Sequence, residues 1–173
     1  MEYTVKDIQR LRETTGAGPL DCKKALEEAT SFENAVAWLE EKGKKRAEKI
    51  AGQDRETRQG YIAAYTHFAG NLGALVELNC STDFVSRNDE FRALGAELAL
   101  QVAAMDPKYI TLEEIPAEVA EDKTPKELES MALMTQPWFK DEKVKIADLI
   151  NDLIRKTGEN IIVRRFVRFK LGE

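Results

Sequence analysis

Tyr61-Ile62-Ala63-Ala64-Tyr65-Thr66-His67-Phe68, then Gly70-Asn71-Leu72-Gly73, then Ala74-Leu75-Val76-Glu77-Leu78-Asn79-Cys80: two alternating runs flank a stretch of turn-forming residues. Successive side chains of a strand point to opposite faces. Tyr61, Ala63, Tyr65 and His67 therefore share one face, and Ile62, Ala64, Thr66 and Phe68 the other. Glycine and asparagine between the runs suit a tight turn, so the stretch reads as an antiparallel hairpin. A four-residue turn over 70–73 sets Tyr65 opposite Leu78, His67 opposite Val76 and Cys80 opposite Ala63.

On the C-terminal side the period lengthens. Phe91, Leu94, Leu98, Val102 and Met105 recur at increments of three and four, which predicts a long helix. Residues 143–157 repeat the pattern with Val144, Ile146, Leu149, Ile150, Leu153 and Ile154, and Gly158 ends it. Residues 160–170 are β-branched, aromatic and Arg-rich, which predicts a strand. On the N-terminal side three short helices are expected. Val5, Ile8 and Leu11 mark the first, and Gly16-Ala17-Gly18-Pro19 divides it from the second, with its stripe of Cys22, Ala25, Leu26 and Ala29. Ser31 caps the third, whose inward face is Phe32, Ala35, Val36 and Leu39. Without repeated βαβ units this order predicts an α+β fold with a small antiparallel sheet packed with helices. The expected domains are a three-helix unit over 1–41, a basic polar linker or helix over 42–58, and an α+β core over 59–173.

The 173 residues carry a formal charge of −5. Residues 105–135 hold eight acids against three bases, so the whole excess sits in this segment. Pro107, Pro116 and Pro125 punctuate it, and 105–141 reads as an acidic excursion of short helices and turns rather than as core. One His and two Cys are too few for a His-rich zinc site, a four-cysteine cluster or a disulfide framework. No apolar run approaches the roughly 20 residues of a membrane span, and the start has no basic region followed by an apolar stretch. A cytoplasmic protein with neither metal, cofactor nor membrane contact is expected.

His67 is the conventional general base, and Cys80 the nucleophile to test beside it. The hairpin register puts them roughly 13 Å apart, so no dyad forms. Cys80 reads as core filler, and His67 as a partly exposed strand-end residue. Gly16-Ala17-Gly18 lacks the preceding strand and third glycine of a nucleotide cradle. Nucleic-acid binding through the three-helix unit and the basic cluster Lys42, Lys44, Lys45, Arg46 and Lys49 is an alternative, set against the net acidic charge. Arg164, Arg165 and Arg168 could equally pair with carboxylates.

One constellation exceeds structural need. In Ser81-Thr82-Asp83-Phe84-Val85-Ser86-Arg87-Asn88, the residues Thr82, Asp83, Ser86 and Asn88 are all capping candidates, more than one helix start requires. Phe84 is either a staple or core plug, or an apolar wedge that enters a partner's polar site beside a carboxylate.

Here the chain resembles the elongation factor Ts family. Leu11-Arg12-Glu13-Thr14-Thr15-Gly16-Ala17-Gly18 with Asp21-Cys22-Lys23-Lys24-Ala25-Leu26 is similar to the family's N-terminal signature. Glu77-Leu78-Asn79-Cys80 with Thr82-Asp83-Phe84-Val85 is similar to its second. Gly158-Glu159-Asn160-Ile161 with Val163-Arg164-Arg165-Phe166 resembles its C-terminal strand. Ser81 stands where the family usually has Glu or Gln, and Pro19 where a larger apolar residue is common.

The resemblance implies an exchange factor for the GTPase elongation factor Tu, without covalent chemistry or cofactor. It implies that the three-helix unit is similar to ubiquitin-associated domains and docks on the GTPase through Leu11, Arg12, Gly16, Gly18, Lys23 and Lys24. Thr82, Asp83, Phe84 and Val85 would form the tip that disturbs the partner's Mg2+ and phosphate region. The single hairpin-helix core is similar to short members, which implies a homodimer and a two-to-two complex.

Overall fold

The computed structural model describes residues 3–51 and 57–173. The chain divides into two compact units, Met1–Gly52 and Gln53–Glu173. The first is built of α1 (Val5–Thr15), α2 (Pro19–Glu28) and α3 (Phe32–Ala51). Thr4 and Asp7 cap α1 reciprocally: the Thr4 N–H donates to Asp7 Oδ2 at 2.7 Å, and the Asp7 N–H to Thr4 Oγ1 at 3.4 Å. Gly16 closes the helix in the left-handed region (φ 68°), where a side chain would be strained. Pro19 opens α2, and Ser31 Oγ accepts the Asn34 N–H at 3.1 Å at the start of α3.

Leu11, Cys22, Ala25, Leu26, Ala35 and Leu39 form the buried centre of this unit, with Ile8, Phe32 and Val36 packed around them. Val5 departs from the expected stripe. It is the first residue of α1 and 72% exposed, while Tyr3 packs at that end with its hydroxyl on Glu27 at 2.8 Å. α3 runs on through the basic segment to Ala51.

The second unit centres on an antiparallel sheet of order β1-β2-β5, with β1 at Gln59–Thr66, β2 at Leu72–Cys80 and β5 at Ile161–Lys170. The hairpin turn lies two residues earlier than expected. Residues 68–71 form the loop, with Gly70 left-handed (φ 68°), and Leu72 already belongs to the strand, accepting the His67 N–H at 2.8 Å. Tyr65 consequently faces Ala74, not Leu78, and Cys80 faces Gln59, not Ala63. The slip is an even number of positions, so each side chain keeps its expected face.

On the inner face Ala63, Ala74, Val76, Leu78, Cys80 and Val163 are buried. α5 (Asp89–Met105) packs on it with Phe91, Leu94, Leu98, Ala99 and Val102. The approach is close: a Cβ on Gly95 would lie 3.1 Å from that of Ala63. α8 (Ile146–Thr157) adds Ile146, Ile150, Leu153 and Ile154. It begins later than its apolar pattern predicts, because residues up to Lys145 are extended and Asp148 Oδ2 accepts the Lys145 N–H at 3.1 Å.

The expectation that 105–141 stands apart from the core is corrected. Its first part is short: a 3-10 turn at Leu112–Glu114, α6 (Ala117–Ala120) and α7 (Pro125–Met131). Its end is interior. Ala132, Leu133 and Gln136 are buried, and β3 (Pro137–Trp138) pairs with β4 (Asp141–Lys145) in a second small sheet that periodicity did not reveal. A buried amide pair ties this end to α5. Gln101 Nε2 donates to Gln136 Oε1 and to the Pro137 carbonyl, both at 3.1 Å, and Gln101 Oε1 accepts the Phe139 N–H at 3.1 Å. Gln136 Nε2 donates in turn to the Ser130 carbonyl at 2.6 Å. Every polar atom of Gln101 therefore has a partner, as burial demands.

Candidate functional site

The peptide from β2 into α5 makes two helix starts in seven residues, which accounts for the surplus of capping side chains. Thr82 caps a single turn, α4 (Asp83–Ser86), and Asn88 caps α5, with Asn88 Oδ1 accepting the Glu90 N–H at 2.7 Å. The Ser86 hydroxyl donates to the Asp83 carbonyl at 2.9 Å. Arg87 holds the Asp83 carboxylate at 3.1 Å. Within one turn the two apolar side chains part: Val85 is 8% exposed and enters the core, whereas Phe84 is 87% exposed. The staple or core-plug reading of Phe84 is thereby set aside. Asp83 lies exposed beside it.

Thr82 is tied from behind. Its hydroxyl donates to Glu159 Oε1 at 2.7 Å and its N–H to Glu159 Oε2 at 3.1 Å. Cys80 Sγ donates to the Thr82 carbonyl at 3.1 Å. Burial, followed by the Glu159 charge, pushes the Cys80 thiol up to about 11, so it stays protonated near neutral pH. Cys80 lies opposite Gln59, eight residues from His67, which makes roughly 26 Å along the strand and removes the dyad more firmly than the expected register did. Ser81 Oγ is buried without a hydrogen-bond partner among the described residues.

The N-terminal set divides into structure and surface. Leu11 is fully buried, Gly16 is the left-handed cap of α1, and Gly18 precedes Pro19 at the start of α2. Arg12, Lys23 and Lys24 are exposed, Lys23 lying 3.8 Å from Glu27. Leu20, 77% exposed beside them, escaped the sequence reading. The signal was present, since Leu20 falls off the Cys22, Ala25, Leu26 stripe. In the basic stretch, Lys42 pairs with Asp21 at 2.8 Å and lies over the Trp38 ring, and Lys45 pairs with Glu41 at 2.6 Å. On β5, Arg165 pairs with Glu77 at 2.6 Å, and Arg168 reaches Glu173 at 3.0 Å.

The outer face of the sheet is open. Ile62, Leu75, Val167 and Phe169 are exposed there around the Arg165–Glu77 pair. Among the described residues no three His, Cys, Asp or Glu side chains could hold a metal ion, and no helix is long and apolar enough to cross a membrane.

A family model described as Elongation factor TS matches residues 3–127. Among curated proteins, Elongation factor Ts of Thermotoga petrophila is 48% identical over an alignment 197 positions long, covering 100% of this chain and 98% of the relative. Elongation factor Ts of Thermotoga maritima gives the same identity and coverage. That of Thermotoga neapolitana is 47% identical, covering 100% of this chain and 99% of the relative. With a family match over more than half its length and these identities along all of it, the chain belongs to the elongation factor Ts family of translation elongation factors.

Proposed function

We propose that the protein is a guanine-nucleotide exchange factor that binds elongation factor Tu in its GDP state and promotes GDP release. The observation that carries this reading is Phe84, an aromatic side chain 87% exposed on a backbone turn that is capped and tied to the core. A free ring in water gains by burial, and Asp83 beside it supplies a charge. Entering the partner's nucleotide site, Phe84 wedges between side chains while Asp83 rearranges polar contacts that support Mg2+. With Mg2+ displaced, the diphosphate loses its screening and departs faster.

The work is a coupling free energy. If the bound factor weakens GDP a hundredfold, GDP weakens the factor equally, a coupling of about 2.8 kcal/mol. One aromatic anchor and a few polar contacts supply that much. GTP rebinding then displaces the factor, so the cycle involves no covalent step and no cofactor of this protein.

Arg12, Lys23 and Lys24 supply the exposed charges with which the three-helix unit docks, while Leu11 supports that surface from within and the exposed Gly16 and Gly18 shape its turn. The apolar outer face of the sheet supports a homodimer and a two-to-two complex, because a second copy offers the same apolar face and a matching ion pair. The cytoplasm is the compartment that suits a translation factor with two free thiols. The nucleic-acid reading is weakened by the internal pairing of Lys42 and Lys45. The test is release of labelled GDP from elongation factor Tu with and without the protein: acceleration is expected, and an unchanged rate at saturating factor refutes the proposal.

A further inference from the structure

α4 is one turn long, and one turn has no stability of its own. Its direction depends on where Thr82 is held. Both donors of Thr82 go to one carboxylate, that of Glu159, 77 positions away. Because the Thr82 hydroxyl donates to Glu159, a lone pair remains for the Val85 N–H, which it accepts at 3.5 Å. The carboxylate itself leaves a fixed corner. Gly158 caps α8 in the left-handed region (φ 71°), and the Glu159 N–H donates to Thr157 Oγ1 at 3.3 Å. Glu159 is half-buried, where a charge-assisted pair of bonds is stronger than in open water.

We infer that Glu159 is a positioning residue for exchange: it fixes Thr82 and, through it, the direction in which α4 presents Phe84. The inference rests on the exchange reading of the tip. It adds the α8–β5 corner to the machinery, at a residue that touches neither nucleotide nor the wedge itself. A general fold role would lower every property together, whereas a positioning role acts through Phe84 alone.

The experiment measures stimulated GDP release from elongation factor Tu for Glu159→Ala, Phe84→Ala and the double variant, with amide hydrogen exchange on the free proteins. Glu159→Ala should lower the maximal stimulated rate about tenfold, because the tip is competent for only part of the time. The concentration for half-maximal effect should stay within about twofold, since docking contacts are intact. In the Phe84→Ala background the same change should do nothing further, and exchange at residues 82–86 should quicken in Glu159→Ala. Multiplying losses, or an unaffected rate in the single variant, overturns the inference.

Glu159→Gln carries the test if the Ala variant does not fold. It keeps an acceptor for the Thr82 hydroxyl but turns an NH2 toward the Thr82 N–H, so a loss of about threefold is expected, again only with Phe84 present. A wild-type rate overturns the inference. If the unaltered protein fails to stimulate release at all, the exchange reading falls, and amide exchange decides the clamp alone. Faster exchange at 82–86 then supports it, and unchanged exchange overturns it.

Discussion

Phe84→Ala and Val85→Ala test whether neighbouring residues of one turn divide action from anchorage. Phe84 is 87% exposed, so its truncation forfeits about an eighth of the roughly 3 kcal/mol that full burial of a Phe side chain is worth, about 0.4 kcal/mol of fold stability. Val85 is 8% exposed, and removing its two methyl groups from the core costs about 1.5–2.5 kcal/mol once the cavity is included. At about 4 °C per kcal/mol for a unit of this size, Phe84→Ala should melt within about 2 °C of the wild type and Val85→Ala about 6–10 °C lower. In stimulated GDP release the order reverses. Loss of an aromatic anchor worth about 2–3 kcal/mol at an interface slows release about 30- to 150-fold, whereas Val85→Ala, assayed well below its melting point, slows it only severalfold. Circular dichroism melts and stopped-flow release of labelled GDP give the two columns. Equal melting points for the two variants, or a wild-type release rate in Phe84→Ala, would refute the division.

Gln101→Leu strands the Phe139 N–H and Gln136 Oε1 in the interior, and should lower stability in urea by about 2–4 kcal/mol; a change below about 1 kcal/mol would mean that water replaces the lost partner. The Cys80 thiol is raised from its usual 9.0 to about 11 in the fold, so the folded state holds this proton longer than the unfolded chain. Stability from this group is complete below pH 9 and fades by about 2–3 kcal/mol as pH rises to 11, and Cys80→Ala should flatten the alkaline limb by that amount in pH-dependent urea titrations. Val167→Glu places a charge on the open sheet face, and in sedimentation should shift the protein from dimer to monomer while its melting point changes by no more than a few degrees.

The faces of the hairpin were legible because strand alternation has a period of two, and an even slip leaves that alternation intact. Its turn lies two residues earlier than the sequence suggests, because Gly73 reads as punctuation. Gly73 is instead a strand residue at a close approach: a Cβ there would lie 3.1 Å from the Tyr65 carbonyl. Capping chemistry was legible at Gly16, Ser31 and Gly158, where one side chain or one glycine decides locally. The interior end of the 105–141 segment was not, because Gln101 and Gln136 are polar and become core only by satisfying each other and distant backbone groups. At the tip, pattern could place an apolar pair but not say which member faces water, since the direction of a single turn decides that. The Glu159 tie had no local signature, its partner being 77 positions distant.

The two caps at Thr82 and Asn88 bear on how the tip meets anything at all. With the backbone already fixed between them, only the two torsions of Phe84 remain to be frozen on contact, about 0.5–1.5 kcal/mol. A slack four-residue loop offering the same ring would also have to order its backbone at about 1–2 kcal/mol per residue, at least 4 kcal/mol in all, or about a thousandfold in affinity. A stiff tip therefore achieves a useful grip with very little contact area. Small contact areas also part quickly, which suits the proposed exchange cycle, where each encounter ends when GTP rebinds.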